Sequence, residues 1–488
     1  VSGAGYPFLV RAIRLVVRLY FRRVEVSGLE QIPGDGGGVL VAWHPNALID
    51  GFLILTSFPR RVSFGARHGL FRVPGLGALL RGMNAVPIYR PQDLGRSDDG
   101  ARRGANRESL DTLARRVAGG SFACLFPEGL SHDAPHPVEV RPGAARLYLR
   151  ASALLPPGAP RPVILPVGLH YNSKRLFRSE AHVVFHPPFV PGTELEPIAA
   201  AEEPAEPEAM RVQSLTAAIE RALHETANAT DDWETHFLLS RVRKLVRAER
   251  AARAGTDPGR PSLVERTSGF ARVRRAYLRQ RERAPDQVAA LRERVDRYDR
   301  DLRALGMEDH LLDRAPRLAS PRLVALLLLQ VAAVFLLLPP FLLAGYVVNG
   351  PPALLLWALV RGLARERKDE ATLKILLGVP LFPLAWVLAG AAAWRGHLAL
   401  HQAFPRVPDV PWLAAAATVL LGVVGGLVVL MYHEVAGETA RAVRVRLIRG
   451  RRWFSIGRLR KERAAIFDQV MALADGPKLA GLETAPPP

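Results

Sequence analysis

The 488-residue chain has a single cysteine, Cys124. An internal disulfide is therefore excluded, and nothing in the sequence requires an oxidising compartment. Acidic residues are also scarce: 46 Asp and Glu stand against 66 Lys and Arg, a formal charge of +20 with a pI near 10.9. That imbalance favours an acidic partner, whether nucleic acid, anionic lipid or a phosphorylated substrate. The sequence has no aromatic stacking platform, zinc-ligand spacing or helix-turn-helix pattern, which argues against nucleic acid. No repeat of fixed period is present. The first residues lack the short apolar core and small-residue cleavage site of a secretory signal. His397 and His401 stand four apart without a third ligand, and His433–Glu434 lacks the second histidine of a zinc-protease helix, so no metal is expected.

Hydrophobic residues make up 49% of the chain, so burial is not limiting, and the length suggests about two to four units. Five regions are distinguished. Residues 1–24 predict a helix with Arg11, Arg14, Arg18 and Arg22 on one face and Phe8, Ile13, Val17 and Tyr20 elsewhere. Such a helix either lies at a membrane interface, its arginines meeting lipid phosphates, or packs on the domain behind it; the interface reading is preferred. Residues 25–200 alternate strand-like runs (39–43, 62–66, 121–126, 163–169, 182–186) with helical stretches near 50–58, 70–81, 103–118 and 143–154, the pattern of an α/β domain. Within this region and the next, 192–210 is rich in Pro, Ala and Glu and reads as a linker. Residues 201–320 form a charged helical region. Residues 321–432 contain three apolar stretches, 323–348, 373–394 and 412–432, each near or above the roughly 20 residues that cross a bilayer. Residues 433–488 return to an Arg-rich, basic tail.

Four blocks carry chemistry. In VLVAWHPNALIDGF (39–52) a buried strand ends at Trp43, and His44 follows at its mouth with Asp50 as the nearby carboxylate. A histidine whose tautomer is held by an aspartate suits a general base that deprotonates a hydroxyl, although a turn histidine beside a surface aspartate would look the same in sequence. In CLFPEGLSH (124–132) a strand again runs into a turn, where Glu128 is placed to hold a hydroxyl or a cation and Gly129 permits close approach. In GLFRVPGLGALLRGMNAVPIYRP (69–91) and just before it, Arg67, Arg72, Arg81 and Arg90 surround an apolar stretch, and arginine binds phosphate with a planar fork. Gly75 and Gly77 there are not a dinucleotide fingerprint. In VILPVGLHY (163–171) Pro166 interrupts a strand-like run. Cys124 sits inside a strand without an adjacent base and reads as a core thiol.

In this order the four blocks resemble the glycerolipid acyltransferase superfamily, which includes glycerol-3-phosphate and lysophosphatidate acyltransferases; the resemblance covers roughly 1–200. It implies an α/β acyltransferase domain followed by a helical region and an α-helical transmembrane region. It implies catalytic roles for His44 and Asp50 and substrate-binding roles for Arg67, Arg90, Glu128, Gly129, Ser131 and Pro166, with no cofactor. The HPNALID and GAARL segments and the apolar C-terminal half look most like a bacterial branch related to fungal glycerol-3-phosphate acyltransferases. One departure stands out: five residues separate His44 from Asp50, where the commonest family motif has four, and a bend at Pro45–Asn46 would absorb the extra one. The implied partners are an acyl-CoA or acyl carrier protein donor, a phosphorylated glycerolipid acceptor and membrane lipids, with no nucleic acid. The acceptor expected is lysophosphatidate; glycerol 3-phosphate or another lysolipid is the alternative, and an inactive lipid-binding membrane protein a more distant one. The expected location is a bacterial inner membrane with the catalytic domain cytoplasmic, where such donors are found. Basic residues Arg361, Arg365, Arg367 and Lys368 precede the second apolar stretch, and six arginines from Arg441 to Arg452 follow the third, against Arg395 and Arg406 between them. The positive-inside rule then places 361–372 and the tail inside and 395–411 outside. Both ends of 323–360 lie on one side, so that segment is expected to enter and return, bending at Pro339–Pro340 or at 349–352.

Overall fold

The computed structural model describes residues 5–73, 75–89, 99–156, 158–191, 208–257, 259–313, 321–364, 366, 369–451 and 453–474. Short runs of β-branched and aliphatic residues form the strands β1 (Phe21–Ser27), β2 (Gly38–Ala42), β3 (Val62–Arg67), β4 (Val86–Ile88), β5 (Phe122–Leu125), β6 (Val163–Tyr171) and β7 (Ser179–Phe185). They make one sheet in the order β1-β7-β6-β2-β5-β3-β4, parallel at every pairing except β6 with β7. Because β2, β5 and β6 are buried on both faces, they read as continuous apolar runs rather than as alternating ones. Helices α1 (Gly5–Tyr20) and α2 (Leu48–Ser57) cover one face through Ile13, Val17, Phe52 and Ile54. The short α3 (Leu76–Gly82) follows β3, and α4 (Asp99–Ala118), α5 (Gly143–Ala153) and α6 (Glu208–Thr226) cover the other face through Leu113, Leu147 and Leu215.

Two strands escape the sequence reading. The helix expected over 1–24 ends at Tyr20, and the chain passes directly into β1, FRRVEVS, an edge strand paired only with β7. Its arginines and Glu25 mask the strand period, because an edge strand tolerates solvent-facing charge. β4 spans three residues around Pro87 and is too short to announce itself.

Beyond the sheet, α7 (Trp233–Arg253), α8 (Leu263–Arg283) and α9 (Pro285–Ala304) form a helical module with α14 (Trp453–Leu473). Leu245, Tyr298, Leu302, Ile466 and Phe467 share its core. Residues 453–474 of the expected basic tail thus belong to this module. Their arginine content hides the reason: Arg463 is itself buried, held by Glu249 at 2.8 Å, Asp313 at 2.6 Å and the carbonyl of Asp309 at 2.9 Å. A buried guanidinium persists only with such pairing.

The apolar region comprises α10 (Pro321–Ala332), a π-helical turn (Ala333–Leu337), α11 (Leu338–Leu363), α12 (Glu370–Ala403) and α13 (Pro411–Arg451). Among the described residues, Glu370–Ala403 and Pro411–Gly437 are long and apolar enough to cross a membrane. These two pack side by side in opposite directions, Gly390 lying against Ala415 and Val419, and Trp386 against Gly422. Gln330 bonds Thr439 near the domain end of α13, Gly345 touches Gly425, and Asn349 bonds the Gly422 carbonyl and accepts from Trp386. Leu356 then meets Gly378, back toward the start of α12. The contacts therefore run away from the α/β domain as far as Asn349 and return after it. Pro351 and Pro352 lack the N–H groups that would carry the helix straight on, so the axis breaks there even though helical dihedrals continue. The helices approach closely at glycines and are joined by side-chain amide and indole bonds, the packing that works where no hydrophobic driving force acts between helices.

His170 on β6 and His182 on β7 pack with rings 6.0 Å apart. His170 Nε2 and His186 Nε2 converge on the space beside Gly168, 3.0 and 3.2 Å from where a β-carbon would stand. Burial, with the neighbouring histidines second, pushes His170 down to about 3; burial pushes His186 down to about 4, and burial outweighs the nearby Glu25 charge in pushing His182 to about 4. The unfolded chain, titrating near 6.5, takes up protons that the folded chain refuses. Stability is therefore full above about pH 6.5 and falls as the pH drops toward 4. Thermal unfolding midpoints should decline steadily from about pH 7 to about pH 5 and decline less in His186→Phe protein; midpoints that stay level over that range would contradict the assignment.

Candidate active site

Parallel registry assembles the site. β2 pairs with β5 so that Val41 lies beside Leu125, and with β6 so that Ala42 lies beside Val167. Extending the same offsets past the strand ends sets His44 beside Glu128 and Asn46 beside Tyr171. In open α/β sheets the carboxyl ends of the strands are where ligands bind.

His44 is held on both sides of its ring and at its backbone. Its Nδ1 lies 2.9 Å from Asp50 Oδ2. A carboxylate offers only acceptors, so Nδ1 carries the hydrogen and the Nε2 lone pair is left outward. The ring stacks on Phe126 with centroids 3.9 Å apart, and its side chain remains 16% exposed. The His44 N–H donates to Glu128 Oε2 at 2.8 Å, and the His44 carbonyl accepts from the His132 N–H at 3.2 Å.

Asp50 is fully buried. Its Oδ2 also accepts from the Asn46 N–H at 2.7 Å, and its Oδ1 accepts a hydrogen bond from the Tyr171 hydroxyl. Burial, then the Asp50 charge, raises the Tyr171 phenol well above its ordinary value, so it stays a donor. The extra residue between His44 and Asp50 is absorbed one position later than expected. Ala47 takes φ 46° and ψ −129°, and the Ile49 N–H closes on the Asn46 carbonyl at 3.1 Å. This is the geometry of a II′ turn, which normally takes glycine, and it lets α2 start at Leu48 with Asp50 turned back toward His44.

Glu128 is also buried, and its two oxygens are engaged within the protein: Oε2 by the His44 N–H, Oε1 by the Val138 N–H at 2.9 Å and by His132 Nε2 at 2.6 Å. Its carboxylate thus ties the β2 and β5 loops together rather than facing open space. Gly129 has φ 68°, and a side chain there would sit 3.4 Å from Arg141. Ser131 is partly exposed in the same loop. Pro166 is buried within β6 opposite Val41, and its carbonyl accepts from the His186 N–H at 3.0 Å. Cys124 is buried in β5, where burial and Asp50 push its thiol up and out of the nucleophile range.

Arg67 ends β3 and pairs in register with Ile88 of β4. β3 is two strands from β2, so the base of Arg67 stands about 10 Å from the His44 strand. The Tyr89 backbone is bracketed by Asn106 of α4, which donates to its carbonyl and accepts from its N–H, both at 2.8 Å. Arg90, the next residue, lies outside the described residues.

Sequence reasoning missed Tyr171, Phe126, His132 and Asn46 as members of the site. Each sits within a quoted block, but only the strand register shows which of them reach His44.

No ligand group is needed to close this network. It can accept a proton at Nε2, delocalise it onto a ring braced by a buried carboxylate, and hand it back. Residues 23–170, which contain His44, Asp50 and Glu128, match the Acyltransferase family. The chain is 21% identical over 387 residues to an uncharacterised acyltransferase of Schizosaccharomyces pombe, covering 62% of this chain and 54% of that one. It is 25% identical over 275 residues to glycerol-3-phosphate O-acyltransferase 1 of Saccharomyces cerevisiae, covering 54% and 34%. The chain thus spans about half or less of the length of these curated relatives. A crystal structure of the 1-acyl-sn-glycerophosphate acyltransferase PlsC from Thermotoga maritima overlaps 45% of this chain and 81% of that one, with 17% identity and a TM-score of 0.29. The family match and the curated relatives support the glycerolipid acyltransferase superfamily for the α/β domain.

Replacing Tyr171 by Phe leaves one oxygen of a fully buried carboxylate without its donor. The expected cost is about 1–3 kcal/mol of folding stability. Chemical denaturation would measure it, and wild-type stability in the Tyr171→Phe protein would remove the bond from the account.

Proposed function

We propose that this protein is a membrane-bound O-acyltransferase that moves a fatty acyl group from acyl-CoA or acyl carrier protein to a hydroxyl of lysophosphatidate, in phospholipid synthesis. The observation that carries the reading is the Asp50-braced His44 with its Nε2 turned outward at the carboxyl edge of the central strands. His44 Nε2 takes the proton of the acceptor hydroxyl as its oxygen attacks the thioester carbonyl carbon. The tetrahedral adduct collapses, the carbon–sulfur bond breaks, and the proton passes from His44 to the departing thiolate. Asp50 stabilises the transient imidazolium, and Tyr171 and the Asn46 N–H keep Asp50 in place. Glu128 acts as a positioning residue through the His44 backbone. Arg90, with Arg67, holds the acceptor phosphate. Gly129 and Ser131 shape the pocket around it, and Pro166 supports the edge from within β6.

The attachment of the apolar helices supports a membrane-borne substrate. The 172–178 loop that follows β6 gives its Lys174 carbonyl to Asn46 Nδ2 and its Arg175 carbonyl to Lys374 Nζ of α12. Ala371 and Ile375 of α12 join the core beside α1. Helix α1 in turn exposes Phe8 and Leu15 beside Arg11, Arg14 and Arg18, an apolar-cationic face suited to phospholipid headgroups. The catalytic edge and the root of the first apolar crossing thus share one loop, which brings a lipid hydroxyl within reach. With the donors in the cytoplasm, the catalytic domain faces it, in a bacterial inner membrane. A second reading, acylation of glycerol 3-phosphate at its sn-1 hydroxyl, draws on the relative named glycerol-3-phosphate O-acyltransferase 1, whose name gives the acceptor but not the position.

Membranes carrying the protein should transfer labelled acyl groups to lysophosphatidate, with glycerol 3-phosphate as the parallel acceptor. His44→Ala should lose about 10²–10⁴ in turnover while keeping its thermal midpoint; near-normal turnover would defeat the mechanism. Arg90→Ala should raise the acceptor KM by the equivalent of roughly 1.5–3 kcal/mol and spare the donor KM. Equal changes in both would take Arg90 out of the phosphate site.

A further inference from the structure

The helical module holds a cavity of about 290 Å³ among α7, α8, α9 and α14. That size is close to the lower end of small-molecule sites, about 300–1,000 Å³. Its lining is both apolar and cationic. Val242, Leu291, Val295 and Met471 contribute aliphatic surface, while Arg243, Arg247, Arg250, Arg272 and Arg292 enter from α7, α8 and α9.

Cavity arginines in a folded protein are normally met by carboxylates. Here the charge is not balanced. Glu265 lines the cavity and pairs with Arg247 at 3.2 Å, and Arg292 pairs with Glu234 at 2.5 Å. Among the described residues, Arg243 and Arg272 have no carboxylate within ion-pair distance, and Glu265 is the acid that acts on both from farther away. Both are partly buried, and both border Gly269: a β-carbon there would stand 3.3 Å from Arg243 Cδ and 3.8 Å from Arg272 Nη2. Burial first, then Arg266 and Arg247, pushes Arg243 down to about 10, and burial followed by Arg250 and Arg275 lowers Arg272. Two desolvated guanidiniums that repel their neighbours cost free energy in the empty protein, and an anion seated between them would recover it.

We propose that this cavity is a binding site for an anionic amphiphile, its apolar chain lying along Val242, Leu291, Val295 and Met471 and its carboxylate or phosphate head held by Arg243 and Arg272. A bare anion would leave the aliphatic wall unused, and a neutral chain would leave the two guanidiniums unpaired. The site is separate from His44, which lies at the sheet edge, and it does not depend on the chemistry assigned there.

The test uses the full chain in phosphatidylcholine nanodiscs and a diazirine-bearing long-chain fatty acid, with labelled peptides mapped by mass spectrometry. The acid should label the α7, α9 and α14 segments that line the cavity, and its methyl ester should label them at least tenfold less. That comparison is made on the unaltered protein and does not depend on any variant folding. Arg243→Gln combined with Arg272→Gln should cut labelling about tenfold with a thermal midpoint no lower than that of the unaltered protein. Oleate and lysophosphatidate should both compete, which identifies the head as carboxylate or phosphate on a chain, and the stronger competitor names the source. Labelling confined to the His44 edge or the apolar helices, or equal labelling by acid and ester, would overturn the proposal. So would full competition by inorganic phosphate alone. Labelling that appears only after removal of the residues following Ala474 would assign the cavity to the chain's own C-terminus and overturn it as well.

Discussion

A fully buried carboxylate sits at the centre of this architecture. Asp50 survives in the core only because three donors meet it: the His44 ring, the Asn46 N–H and the Tyr171 hydroxyl. An isolated charge in such a place would be protonated or expelled. Each donor fixes something else. The ring bond orients the base, the Asn46 bond forces the turn that starts α2, and the Tyr171 bond ties the end of β6 to α2. The strained Ala47 backbone is the cost of bringing the carboxylate back to the ring over five intervening residues.

Glu128 does for the β5 loop what Asp50 does for α2. Its oxygens are shared among two backbone N–H groups and the His132 ring, so the loops after β2 and β5 behave as one piece. Phe126 then closes the ring of His44 from the side at 3.9 Å. Two buried acids, one on α2 and one in the loop after β5, thus hold a single histidine, Asp50 at its ring and Glu128 at its backbone N–H. A base held in this way needs little reorganisation when it takes a proton.

The remainder of the chain is organised around two ways of handling polar groups in apolar surroundings. In the helical module a buried guanidinium, Arg463, is satisfied by two acids and a carbonyl. In the apolar helices Asn349 serves three helices at once, bonding Gly345 and Gly422 carbonyls and accepting from Trp386. The cavity arginines Arg243 and Arg272 are the contrast, since the protein supplies them no acid within ion-pair reach. The 172–178 loop connects these regions to the catalytic edge.

The chain's own residue pattern determined the α/β alternation and the three apolar stretches, because these rest on hydrophobic period; it set His44 and Asp50 close in sequence, and the fold decided that they bond. Five of the seven strands were legible as short buried runs. β1 was not, since an edge strand can carry Arg22, Arg23 and Glu25 without loss. Helix α14 was not, because an arginine pattern reads as solvent-facing until its partners, 150 to 214 residues away along the chain, are seen. Tyr171 and Phe126 joined the site, and Glu128 took its place at the His44 N–H, only through the parallel register of β5, β2 and β6. Register is a long-range choice made by packing, and no local property of any single strand encodes which residue will face His44.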